Sequence, residues 1–382
     1  MILRRREMLL AGLGMLLAPR WSQADSAATA LLSPFVERNE LAGAVALVVD
    51  RNGVKSVDVV GKADRAAGRP MTRESLFWIA SMTKPMTGVA VMMLVDEGKI
   101  SLDDPVEKYL PEFKSQLVVA ERTADRTVLK KPVHPITIRE TLAHTSGLPF
   151  KSAVEEPTLD GLPLAAAVRS YAMTPLQTEP GTAYQYSNAG INTAARVIEV
   201  VSGVPHAEFM QTRLFDPLGM KETTYWPTEA QLTRLAKSYR PDAAKTGLEE
   251  FPIVHLLHPL SDRGRRFAMP AGGLFSTADD VGQFCRMLLN RGELDGKRVL
   301  SEAAVAELSK RQTPSTLKES YGLGFAVGPD WYGHGGAHAT NMDIRPEQGL
   351  ATVWMVQHAG FPGMGGQAQG LFRNWALSEF GK

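Results

Sequence analysis

Strand patterns confined to the two ends of the chain restrict the fold more than any other feature. Near the N-terminus, residues 43–49 and Val54–Val60 are apolar runs on either side of Asp50-Arg51-Asn52-Gly53. Asn-Gly between two such runs is a strong hairpin signal. Comparable runs return only near the C-terminus: Gly322–Val327, closed by Gly328-Pro329-Asp330, then Asn341–Arg345 and Leu350–His358 about the turn Pro346–Gly349. Between the two ends the apolar spacing is helical, over Pro85–Glu97 (stopped by Gly98), Ile138–His144, Ala189–Ser202, Thr277–Asn290 and Ser301–Lys310. The sequence therefore predicts an α+β fold with an antiparallel sheet built from the N- and C-terminal segments. Flanking helices are expected from Asp25 to about Asn39 and from about Gln369 to Ser378, and a mainly helical lobe is inserted. The sheet lobe should span about 25–80 and 265–382 and the helical lobe about 81–264, with 115–135 and 227–268 as surface loops.

Composition narrows the function classes. The 382 residues carry 42 basic and 41 acidic side chains, so no electrostatic footprint for nucleic acid exists. The single cysteine, Cys285, excludes an intrachain disulfide and a cysteine-cluster metal site, and beside Val281, Phe284 and Leu288 it reads as core. Residues 1–24 read as an export signal. Arg4-Arg5-Arg6 precede the apolar run Met8–Ala18, which is too short for a permanent span, and Ser22 and Ala24 stand at −3 and −1 of a cleavage point before Asp25. The paired arginines, with Gly12 and Gly14 in the run, resemble a twin-arginine signal. Export to the periplasm without stable membrane insertion is the expectation, and oligomeric state is left open.

Three short motifs could carry chemistry. In Ser81-Met82-Thr83-Lys84, opening an apolar helix, the serine lies at the positive helix end and the lysine one turn on, on the same face. Burial there should lower the lysine pKa until a neutral amine can take the serine proton. A serine helix cap is the bland alternative. Ser315-Thr316-Leu317-Lys318 repeats the spacing, but in a polar stretch with no apolar helix behind it. In Tyr186-Ser187-Asn188, a phenol close to a cationic lysine could ionise below its usual pKa of about 10 and shuttle a proton. The amide of Asn188 could hold the lysine and a substrate carbonyl, or could simply cap a helix. In His334-Gly335-Gly336, glycines on a strand mark close approach by a backbone or ligand. The N–H groups of Ala337 and Ser81 could then receive an oxyanion, unless His334 is only a surface residue at a strand end.

Taken together, these motifs resemble the serine β-lactamase and penicillin-binding-protein superfamily, in the branch of class C-like enzymes and family VIII esterases. Residues 77–85 (Phe-Trp-Ile-Ala-Ser-Met-Thr-Lys-Pro), 102–106, 109–111, 137–148 and Pro270-Ala271-Gly272-Gly273-Leu274 carry the resemblance, which spans roughly 30–380. It implies a serine hydrolase that forms an acyl-enzyme on Ser81, with Lys84 as activator and Tyr186 as base and shuttle. Asn188 would lie near lysine and substrate, and no metal or other cofactor is required. Lactam-active members usually carry Lys-Thr-Gly where this chain has His334-Gly335-Gly336. A histidine largely neutral at pH 7 replaces a permanent cation there, and losing a charge partner at a carboxylate site costs about 1–3 kcal/mol. Neutral or short-chain esters are therefore the expected small-molecule substrates. The alternatives are lactam, D-Ala-peptide or amide hydrolysis, or a slowly deacylating penicillin-binding sensor. His255 and His258 are spaced like a helical metal pair but lack a completing ligand. His358-Ala359-Gly360 ranks below His334, and His144 and Ser146 fall in a segment the family uses for structure.

Overall fold

The computed structural model describes residues 27–381; the expected export signal at 1–24 lies outside the described residues. Seven antiparallel strands form one sheet in the order Ala326–Val327, Tyr332–Gly335, Asn341–Arg345, Leu350–Met355, Gly43–Asp50, Val54–Asp64 and Arg69–Pro70. The two chain ends meet at its centre, where Val45 pairs with Met355 and Val49 with Ala351. The sheet thus has the expected architecture.

Strand Gly43–Asp50 is apolar at successive positions because both its faces are covered. Val45, Leu47 and Val49 belong to the main core, while Ala44, Ala46 and Val48 pack with Leu32, Phe35, Phe372 and Ala376 of the two terminal helices, Ala27–Glu37 and Ala368–Phe380. Helix Ala278–Leu289 covers the first of these faces. It comes so close that a Cβ on Gly282 would lie 2.6 Å from Leu47 Cδ2.

The first hairpin forms as expected, while two other local expectations need correction. In the hairpin neither Asn52 nor Gly53 has the positive φ of a type I′ turn. Asp50 builds the turn instead, its Oδ1 accepting the Asn52 and Gly53 N–H groups at 2.8 and 2.9 Å. The strand read over Gly322–Val327 shrinks to Ala326–Val327, because Gly324 turns with φ +84 and donates its N–H to Leu142 O. The stretches 115–135 and 227–268 are not wholly loop: Val118–Arg122 pairs with Thr127–Lys130, and Tyr239–Pro241 with Leu248–Glu250. The predicted helices end within one or two residues of their observed bounds, and hydroxyl caps at Ser187, Thr277 and Ser301 start three of them.

Candidate active site

Ser81 is placed by a strand and a helix that meet at a sharp corner. Strand Phe77–Trp78 pairs with Phe275–Ser276, and the chain then makes one 3-10 turn, Ala80–Met82, into helix Thr83–Asp96. Ala80 takes up the change of direction with φ +45, a region that non-glycine residues avoid. Thr83 Oγ1 holds the corner by donating to Ala80 O at 2.6 Å. Residues 83–94 of the helix are all buried, which anchors it on every side. Ser81 remains half-buried, open to a substrate.

One turn further on, Lys84 is fully buried and its Nζ has three neighbours: Ser81 Oγ at 3.0 Å, Asn188 Oδ1 at 2.8 Å and Ala271 O at 2.7 Å. Burial pushes its pKa well below the usual lysine value. A neutral amine has two hydrogens, and two of its neighbours are carbonyl oxygens that can only accept. With both hydrogens so occupied, the lone pair faces the Ser81 hydroxyl. The Ala271 carbonyl is itself held in place, since Ala271 N–H donates to Asn192 Oδ1 at 3.1 Å and Thr87 Oγ1 donates to Pro270 O at 2.8 Å.

Tyr186 and Asn188 arrive from the other side. Ser187 caps helix Asn188–Ser202, accepting Gly190 N–H at 2.9 Å, while its hydroxyl donates to Pro149 O at 2.6 Å. This puts the Tyr186 ring 4.6 Å from Lys84 Nζ and brings its phenol close enough to Ser81 to interact with it. The expected acidic phenol is not found. Burial raises the Tyr186 pKa above its ordinary value, the interaction with Ser81 opposing only in part. The neighbouring lysine is desolvated as well, so no stable cation is there to favour a phenolate. Tyr186 rests as a neutral phenol.

The glycine strand closes the site. A Cβ on Gly336 would lie 2.1 Å from Thr340 Oγ1 and 2.5 Å from Ile79 O, so glycine alone lets this edge lie against the chain just before Ser81. Ala337, next along, is exposed, and its N–H has no acceptor among the described residues. His334 is buried rather than at the surface. Gly335 O, 2.6 Å from Nδ1, can only accept, so Nδ1 carries the proton and Nε2 accepts the Tyr321 hydroxyl at 2.8 Å. Burial pushes its pKa down to about 3. The imidazole is neutral and both its nitrogens are engaged.

A family model described as beta-lactamase matches residues 28–370. The chain belongs to the beta-lactamase family. Penicillin-binding protein 4 of Amycolatopsis lactamdurans is 33% identical over 72% of this chain and 70% of its own. Esterase EstB of Burkholderia gladioli is 33% identical over 66% of this chain and 67% of its own. Among solved structures, EstCE1, described as a hydrolase with promiscuous acyltransferase activity, superposes with a TM-score of 0.76 at 23% identity over 91% of this chain and 97% of its own, a likeness of fold.

The other candidate residues of this beta-lactamase-family chain lie apart from Ser81 or serve packing. Ser315 and Lys318 are exposed on the surface. His255 and His258 lie outside any helix: His255 stacks on Trp78 at 5.8 Å and His258 Nε2 meets Ile253 O at 3.0 Å. No group among the described residues could hold a metal ion, and no helix there is long and apolar enough to cross a membrane. His358 accepts Ala42 N–H at 3.1 Å and stacks on Phe361, pinning the sheet. Cys285 is core, its thiol pKa pushed up by burial. Sequence reasoning assigned no role to the Ala271 carbonyl or to Tyr321. A carbonyl oxygen leaves no mark on residue identity, and Tyr321 is a lone aromatic until the fold brings it to His334.

Proposed function

We propose that this protein is a carboxylesterase acting on neutral, short-chain esters through an acyl-enzyme on Ser81. The observation that carries the reading is the buried Lys84, its pKa pushed down by desolvation, with Nζ set between two carbonyl acceptors and Ser81 Oγ at 3.0 Å. Ser81 Oγ bonds to the ester carbonyl carbon as its proton passes to Lys84 Nζ. The carbonyl oxygen becomes an oxyanion between the N–H groups of Ser81 and Ala337. As it collapses, the ester C–O bond breaks and the leaving alkoxide takes a proton through the Tyr186 hydroxyl, departing as alcohol. Water then attacks the acyl carbon, giving its proton to the same lysine–tyrosine pair. Ser81 leaves reprotonated and the carboxylic acid is released. Asn188 orients Lys84 and reaches toward the substrate carbonyl.

The neutral His334 favours esters over anionic lactams, because the position offers no cation to a substrate carboxylate. Lactam or peptide hydrolysis is the second reading, supported by the likeness to a penicillin-binding protein. The test is turnover of a short p-nitrophenyl ester and a chromogenic cephalosporin side by side, with Ser81→Ala and His334→Lys. Ester turnover should dominate and vanish in Ser81→Ala. His334→Lys should raise the cephalosporin-to-ester ratio by about 10-fold or more, the equivalent of one recovered charge contact. Activity surviving in Ser81→Ala refutes the mechanism, whereas dominant lactam turnover by the unaltered chain refutes only the substrate class.

A further inference from the structure

Tyr186 reaches Ser81 from a segment, residues 184–187, that belongs to no helix or strand. His144 grips that segment on both sides of the tyrosine. Its carbonyl accepts the Gln185 N–H at 2.8 Å, and its Nδ1 accepts the Ser187 N–H at 3.1 Å. Its ring also lies 4.5 Å, centroid to centroid, from the Tyr186 ring, with Tyr321 at 4.7 Å and Tyr184 at 5.8 Å. The imidazole is fully buried, and Nε2 has no hydrogen-bond partner among the described residues. A peptide N–H can only donate, so Nδ1 is the acceptor and the proton rests on Nε2. Burial holds the ring toward its neutral form and keeps that acceptor available. The backbone is committed too. His144 has φ +61 just past helix Ile138–Leu142, a position where glycine or asparagine is favoured. A histidine kept there against that preference points to a use for its side chain.

We propose that His144 is a positioning residue for Tyr186. By bridging the peptide N–H groups on either side and packing against the ring, it holds the phenol oxygen on Ser81. The proposal rests on the reading of Tyr186 as the proton carrier. It places the effect of His144 on turnover and not on substrate binding.

Two variants of similar bulk separate this from simple packing. In His144→Asn, Oδ1 falls near the place of Nδ1 and the residue tolerates positive φ, so the Ser187 contact survives. In His144→Gln the acceptor moves one bond further out and the contact is lost. With a p-nitrophenyl ester, His144→Gln should lower kcat by about 100-fold with KM within about 3-fold, and His144→Asn should stay within about 10-fold of the unaltered chain. In a Tyr186→Phe background His144→Gln should cost no more than about 2-fold further, since the group it positions is gone. Nitrogen-15 NMR of the unaltered protein at neutral pH gives a readout independent of any variant's folding: the His144 ring should be neutral with its proton on Nε2, and a proton on Nδ1 overturns the proposal. Equal losses in Asn and Gln, or an undiminished Gln loss in the Tyr186→Phe background, leave His144 a purely structural role. If Tyr186→Phe alone keeps full turnover, the reading of Tyr186 fails first and is identified as the failure.

Discussion

At the scale of single residues, the site works by withholding water from groups that would otherwise be charged. Lys84, His334 and His144 are all driven toward their neutral forms, and burial is the largest cause for each. Each is then held by a directed contact: carbonyl oxygens for Lys84, Tyr321 and Gly335 for His334, a peptide N–H for His144. A base that must be neutral loses activity when protonated. kcat/KM for ester hydrolysis should therefore rise with pH and reach its plateau well below the usual lysine pKa of 10.5. A limb rising only near that value would mean a protonated Lys84 and a different base. The Ser81–Lys84 pair could be read in advance because one helical turn fixes it. The neutrality of Lys84 could be argued from the apolar helix around it, but the neutrality of Tyr186 could not, because the expected cation beside it is itself removed by burial.

At the scale of elements, the site is a junction of four segments, each stopped or bent where it must be. The corner at Ala80 releases Ser81 from the strand. The Ser187 cap starts the helix that delivers Asn188. Trp78 Nε1 donates to Gly272 O at 2.7 Å, locking the segment that offers the Ala271 carbonyl. The glycine strand closes against Ile79. Gly336→Ala should push this strand off Ser81, since the added Cβ would meet backbone oxygen at 2.5 Å as well as the Thr340 side chain. We expect kcat/KM to fall by about 100-fold or more, the scale of a lost oxyanion donor, with the fold kept by circular dichroism. An unimpaired variant would show that the Ala337 N–H is not part of the oxyanion site. Most helices were legible, because caps such as Thr277 and Ser301 and stops such as Gly98 act locally. The strand expected at Gly322–Val327 was lost because Gly324 bends to meet Leu142, a contact 182 residues away in sequence.

At the scale of the whole molecule, stability and pH are linked through buried histidines. His206 and His334 are pushed down to about 3, and His338 and His358 to about 4, in each case chiefly by burial. The native state keeps them neutral while the unfolded chain takes up protons below about 6.5. Their stabilising contribution is complete above pH 6.5 and is lost as pH falls toward 4, on the order of 1–2 kcal/mol each by pH 5. Asp280, pushed up to about 6 by burial, acts in the opposite direction between its unfolded value and pH 6, as do Glu140, Glu155 and Asp343, also raised by burial, while His144 and His255 are lowered and add to the histidine side. The melting temperature should therefore fall between pH 7.5 and pH 5, and a flat or rising profile would show that these histidines are not buried neutral. The α+β class, the meeting of the two chain ends in one sheet, and the three motifs that converge at Ser81 follow from residue order alone. Periodicity, caps and the spacing of Ser81 and Lys84 depend on neighbours a few residues apart. Long-range packing sets which groups are driven toward neutrality, buries His334 against Tyr321, and makes His144 clasp the segment carrying Tyr186. Those outcomes depend on how much water each group loses and which distant carbonyl or N–H it meets, and both are set by packing between segments far apart in the chain.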